Sequence, residues 1–186
     1  MSKFKEPINL TPRQFELAVK DILDAASGGL TSYESKHLEK FVASDGEYEI
    51  DVTTRFNALG VEFLVLVECK HHKRKVERQD VQVLHARLDS IGAHKGMIFS
   101  TSGFQSGAID YADEHGIALA YLVDGKSNWF TKSAGPQVPP PHWMIFPEYI
   151  AWWCHGSSMS LMSDDHVEYT RKALGLPSDL LQRSSD

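Results

Sequence analysis

The chain has 186 residues, 42% of them hydrophobic, with 25 acidic and 19 basic side chains and a net charge of −6. That length predicts one domain with a substantial core, and the charge weighs against a globally basic, non-specific nucleic-acid binder. No apolar run reaches the length of a membrane span, the opening Met1-Ser-Lys-Phe-Lys-Glu6 lacks the apolar core of a signal peptide, and Cys69 and Cys154 are the only cysteines, so a cytoplasmic protein with two free thiols is expected.

The first element is a helix. Thr11 is placed to cap it, Pro12 suits its first position and Gln14 completes a capping box. Phe15, Val19, Ile22 and Leu23 line one face, and Gly28-Gly29 end it. The pattern of Tyr33–Val42 fits a strand or a short helix and does not choose between them. Ile50–Phe56 and Val61–Lys70 read as a hairpin joined by Asn57-Ala58-Leu59-Gly60. With Phe56 facing Val61, Asp51 faces Leu66 and Glu68 is its diagonal neighbour, roughly 7–8 Å away on the same face. Ile50, Val52 and Phe56 then share the opposite, apolar face with Val61, Phe63, Val65 and Val67. A loop one residue shorter would separate the two acids.

Asp51, Glu68 and Lys70 are the minimal set for hydrolysing a phosphodiester. A hard cation such as Mg²⁺ takes one or two carboxylates from protein, and a lysine beside it orients water or steadies charge on phosphate. Such residues on strand faces are ordinarily solvated, and short motifs recur by chance. Here, however, the charged pair closes the apolar run Val61-Glu-Phe-Leu-Val-Leu-Val67, where a charge needs a reason. The segment that follows carries Lys70, Lys73, Arg74, Lys75 and Arg78 against the single acid Glu77. With His72 it reads as a phosphate-contacting loop, or else as a solvated one. His71 and His72 are adjacent and lack the spacing of zinc ligands.

Val81, Leu84, Leu88 and Ile91 then mark a helix that stops at Gly92, with Asp80 and Gln82 off its apolar stripe. Gly96–Ser100 reads as a buried strand and Thr101–Gln105 as a loop. Ala108, Ile109 and Ala112 carry a second helix that stops at Gly116, and Ile117–Val123 is another strand. Strands alternating with helices predict an α/β sheet covered on both sides. Gly135–Pro141 reads as a linker. Trp129, Trp143, Trp152 and Trp153 all lie in the last third. Their rings can stack on bases, form a dimer surface or pack on the sheet, and packing is favoured. Ser163-Asp-Asp-His-Val-Glu168 opens a final helix that runs to Gly175.

The segments Thr11–Glu16, Glu49-Ile-Asp51, Val67-Glu-Cys-Lys70, Val81-Gln82, Lys95–Phe104 and His115–Leu119 together resemble the catalytic domain of Mrr-like restriction endonucleases, within the PD-(D/E)xK nuclease superfamily. The likeness runs from Thr11 to Asp124. It implies a restriction-endonuclease-like mixed central β-sheet flanked by helices, in a nuclease domain over residues 1–125, with residues 126–186 as an extension packed on it or at a dimer interface. It further implies Asp51 and Glu68 as ligands of Mg²⁺ (or Mn²⁺), the Cys69 carbonyl near the metal, and Lys70 as the catalytic lysine. Glu16 matches an acid of the first helix, and Gln82 a helix glutamine, that approach the site in relatives. Glu68 stands where many Mrr-like proteins carry Gln, and Ile50 stands where the superfamily name has a proline. The expected activity is metal-dependent DNA hydrolysis of restriction or repair type, leaving 5′-phosphates, with a homodimer for double-strand cleavage. The alternatives are an inactive nucleic-acid-binding or assembly protein on the nuclease fold, and an RNA- or junction-cleaving enzyme.

Overall fold

The computed structural model describes residues 9–28, 30–58, 60–124, 148–163 and 166–176. The elements run α1 (Pro12–Ala25), β1 (Thr31–Ala43), β2 (Gly46–Ala58), β3 (Val61–Lys70), α2 (Arg78–Ile91), β4 (Lys95–Ser100), α3 (Ser106–Glu114), β5 (Ala118–Asp124), β6 (Tyr149–His155), β7 (Ser158–Met162) and α4 (Val167–Ala173). All seven strands form one sheet in chain order. β3, β4 and β5 are parallel, linked through α2 and α3, and the remaining neighbours are antiparallel. This is the α/β sheet covered on both sides that the alternating pattern predicts, with the mixed strand directions that the resemblance implies. No helix among the described residues is long and apolar enough to cross a membrane.

Helices cover both faces, and the central strands divide their side chains between two cores. On one face Val65, Val67, Met97 and Phe99 pack against Phe15, Val19, Ile22 and Leu23 of α1, with Ala173 of α4. On the other, Leu66, Ile98 and Leu119 pack against Val81, Leu84 and Leu88 of α2 and Ala108 and Ala112 of α3. Burial on both faces explains the unbroken apolar runs of β3 and β4. Gly96 lets α2 lie close to β4: a Cβ there would meet Leu88 Cδ1 at 2.9 Å and Leu84 Cδ2 at 3.2 Å. Gly96→Ala is therefore expected to destabilise the fold by about 1–3 kcal/mol through overpacking, read as a lower midpoint in urea.

The capping box of α1 forms as expected, with Thr11 and Gln14 bonded reciprocally. The helix ends earlier than its glycines imply, with Ala26 as its cap. Gly92 closes α2 in the left-handed conformation, φ 75°. β1 settles the segment whose pattern was ambiguous: it is a strand, because it pairs along β2 from Thr31–Asn57 to Ala43–Gly46.

The β2–β3 hairpin differs from the expected one in two ways. Its turn holds two residues rather than four, since Ala58 pairs with Val61 and Phe56 with Phe63. The register moves by two, so parity is kept, and the last pair, Val52–Val67, points Asp51 toward Glu68 rather than Leu66. The second difference is at Ile50. It lies in the α2-side core, whereas Val52, two residues on, lies in the α1-side core. β1 behaves alike: Tyr33 packs toward the α1 side and Phe41 toward the α2 side. The exchange is local. His37 pairs with Val52 and Glu39 with Ile50, so Leu38 and Asp51 stand opposite each other. Leu38 has φ 55°, a left-handed conformation that costs a non-glycine residue roughly 1–2 kcal/mol.

The C-terminal aromatic segment is a strand. β6 pairs with β5 from Leu119–Cys154 to Asp124–Tyr149, and β7 adds to β6. Residues 149–162 thus extend the same sheet, and Trp153 packs against the α1-side core. Gly135–Pro141, Trp129 and Trp143 lie outside the described residues, as does the expected division at residue 125.

Candidate active site

Asp51 sits where the two outer strands exchange faces. The β2–β3 pairs run from Ala58–Val61 to Val52–Val67. Beyond them the Asp51 carboxylate, rather than a backbone carbonyl, accepts the Cys69 N–H, at 2.7 Å. The side chain thus satisfies the backbone at the mouth of the hairpin and is held beside the end of β3.

Glu68 is on the α2 side and is only 5% exposed. A carboxylate so buried needs compensation, and two cations provide it. Lys70 Nζ donates to Glu68 Oε2 at 3.0 Å, and Arg87 Nη1, from α2, donates to Oε1. The Arg87 guanidinium also lies 6.0 Å from the centre of the Tyr48 ring. Tyr48 comes from the β1–β2 hairpin, whose turn residue Asp45 accepts from Ser90 of α2 at 2.8 Å.

Asp51 feels the neighbouring acids. Burial pushes the Asp51 carboxyl up to about 6. The Cys69 N–H opposes this shift, the charges of Glu68 and Glu16 add to it, and Lys70 opposes it. Burial, then Asp51, Glu16 and Glu68, also push the Cys69 thiol well above its ordinary value. At neutral pH that thiol is protonated, so any role of Cys69 at the site falls to its backbone. Glu16 reaches across from α1, where its carboxylate bonds His37 Nε2 at 2.6 Å.

Asp51, Glu68 and Lys70 are therefore brought together, with Glu16 close enough to act on Asp51 electrostatically. Gln82, expected to approach from α2, is solvent-exposed, and the α2 residue that touches the acids is Arg87. In the basic loop Lys73 and Lys75 are exposed. Arg74 is committed to Asp80 through two bonds of 2.9 and 3.0 Å. His72 Nδ1 is bonded to the Arg74 carbonyl at 2.8 Å, and Arg78 lies over the Tyr111 ring at 5.1 Å.

The donor set fits a hard divalent cation. Its side-chain donors are carboxylate oxygens, gathered so that the charges of Glu68 and Glu16 help to raise the Asp51 carboxyl. Among the described residues no group of three His, Cys, Asp or Glu side chains is arranged to hold a metal ion, but such a cation needs only one or two carboxylates.

The mixed seven-stranded sheet with helices on both faces is a restriction-endonuclease-like fold. The model of a restriction endonuclease family, the Mrr catalytic domain, matches residues 8–126, and the chain belongs to that family. The chain is 30% identical over 119 residues to the type IV methyl-directed restriction enzyme EcoKMrr of Escherichia coli strain K12. That match covers 64% of this chain and 37% of the relative, so the chain spans little more than a third of its length. A crystal structure of a protein of unknown function is similar with a TM-score of 0.47 and 24% identity, over 57% of this chain and 55% of that one. The EndoMS-dsDNA2 complex is similar with a TM-score of 0.40 and 19% identity, over 61% of this chain and 45% of that one.

Proposed function

We propose that this chain is the catalytic unit of a divalent-metal-dependent endonuclease that hydrolyses DNA phosphodiester bonds, of restriction or repair type. The observation that carries the reading is the convergence of Asp51, buried Glu68 and Lys70 from two strands at one end of the sheet. Family membership and the activity named for the Escherichia coli relative support it. Asp51 and Glu68 would hold the cation, which supplies the positive charge that polarises a phosphate and eases deprotonation of water. The Asp51–Cys69 bond fixes one carboxylate, and Glu16, bonded to His37, keeps negative charge on the same side. Lys70 presents its ammonium beside Glu68, within reach of a phosphate oxygen or attacking water. Double-strand cleavage would take two copies, so a homodimer is part of the proposal.

Supercoiled plasmid incubated with Mg²⁺ or Mn²⁺ should be nicked or linearised, with no cleavage in EDTA or with Asp51→Ala. Cleavage that persists equally in EDTA would refute the reading. The loop beyond Lys70 should contribute phosphate contacts through Lys73 and Lys75, whose side chains are exposed. The double variant Lys73→Ala/Lys75→Ala is expected to weaken DNA binding uniformly across sequences and to flatten the log K against log salt slope by about 1–2. Fluorescence anisotropy at several salt concentrations reads both.

A further inference from the structure

Glu68 is over-supplied with positive charge. One cation suffices for one buried carboxylate, yet Lys70 takes one oxygen and Arg87 takes the other. The two come from different elements. Lys70 shares β3 with Glu68, whereas Arg87 reaches in from α2. Arg87 is built into place, between Glu68 and the Tyr48 ring of the hairpin that Asp45 and Ser90 pin to α2. Its side chain is still 28% exposed, so the guanidinium has solvent to move into. With both Glu68 oxygens in charge-assisted bonds, a hard cation meets a ligand already taken.

We propose that Arg87 is a built-in counter-ion that occupies Glu68 until a divalent cation displaces it, and so sets the metal affinity of the site. The proposal rests on the metal dependence proposed above. Arg87 is here a positioning residue acting through Glu68. In the metal-free protein it adds a second counter-charge to the buried carboxylate that Lys70 already partners. In the loaded protein the same charge is redundant and opposes the ion.

The test reads two quantities that move in opposite directions. Arg87→Met keeps a stem beside Tyr48, removes the charge and adds no oxygen ligand. Mn²⁺ binding by isothermal calorimetry should tighten on the order of ten-fold, while the melting temperature in EDTA falls. A purely structural arginine would lower both stability and affinity. Arg87→Gln keeps a hydrogen-bond donor for Glu68 and should behave alike, which guards against collapse of the methionine protein. If the wild type binds Mn²⁺ and neither variant binds it more tightly, the counter-ion role is overturned and the metal reading stands. If no Mn²⁺ binds to wild type or variants, both fall.

Discussion

Lys70→Met is expected to reduce plasmid cleavage by about 10²–10⁴-fold, the range for a positioned proton-transfer or charge-stabilising group. The structure gives this lysine two relations, to the Glu68 carboxylate at 3.0 Å and to the Asp51 charge. Neither is needed to keep the fold: Glu68 retains Arg87, and the Lys70 side chain is 25% exposed. Mn²⁺ affinity should therefore be preserved or improved, because one competing cation has left Glu68. DNA affinity should fall only by the worth of a single phosphate contact, a change of about one in the salt slope. The combination of lost turnover, kept metal and near-normal DNA binding identifies a group that acts on the reacting atoms. Cleavage within a few-fold of wild type at saturating Mn²⁺ would remove Lys70 from the chemistry.

The parts of this site that could be read from the sequence are those governed by local periodicity. The side-chain faces expected for β2 and β3 are unchanged by the two-residue difference in the turn, because a shift of two returns every side chain to its face. That is why Asp51 and Glu68 meet although the predicted partner of Asp51 was Leu66. Ile50 shows where periodicity fails. The left-handed residue Leu38 lies opposite Asp51 in the neighbouring strand, and no local pattern marks a leucine for positive φ. The exchange of faces it accompanies places Tyr48, Ile50 and Phe41 over α2 instead of α1.

Arg87 was legible in principle. It lies three residues after Leu84 and four before Ile91, so it falls on the apolar stripe of α2 rather than on its polar side. A cation on such a stripe requires a buried anion, and Glu68 is the acid that closes the apolar run of β3. Gln82 lies off that stripe and is exposed, as its spacing implies. For β1 the limit is different. Strand or helix was decided by its long pairing with β2, a tertiary contact that propensity does not encode. The same holds for Tyr149–His155, whose aromatic density is a consequence of extending the sheet beside β5.

Asp51→Asn should make the metal-free protein more stable while abolishing its function. The fold holds this carboxyl up to about 6 against an ordinary value of 3.8, chiefly through burial, with Glu68 and Glu16 adding to it. A raised carboxyl binds its proton more tightly folded than unfolded. Its contribution is intact below pH about 4, declines as the pH rises toward 6, and remains a fixed penalty above that. With partial exposure discounted, the penalty is on the order of 1–2 kcal/mol at pH 8, or about 2–8 °C in melting temperature for a chain of this size. Asparagine keeps an oxygen to accept the Cys69 N–H and carries no charge, so it escapes the penalty. In EDTA the two proteins should melt together near pH 4, diverge between pH 4 and 6, and stay apart above it, with the variant higher. Saturating Mn²⁺ should narrow or reverse the gap, because only the wild type gains the free energy of binding the ion. A variant that melts below the wild type in EDTA at pH 8 would mean that Asp51 is a stabilising charge in its own right, and that the crowding of acids at this end of the sheet is not a strain held for the cation.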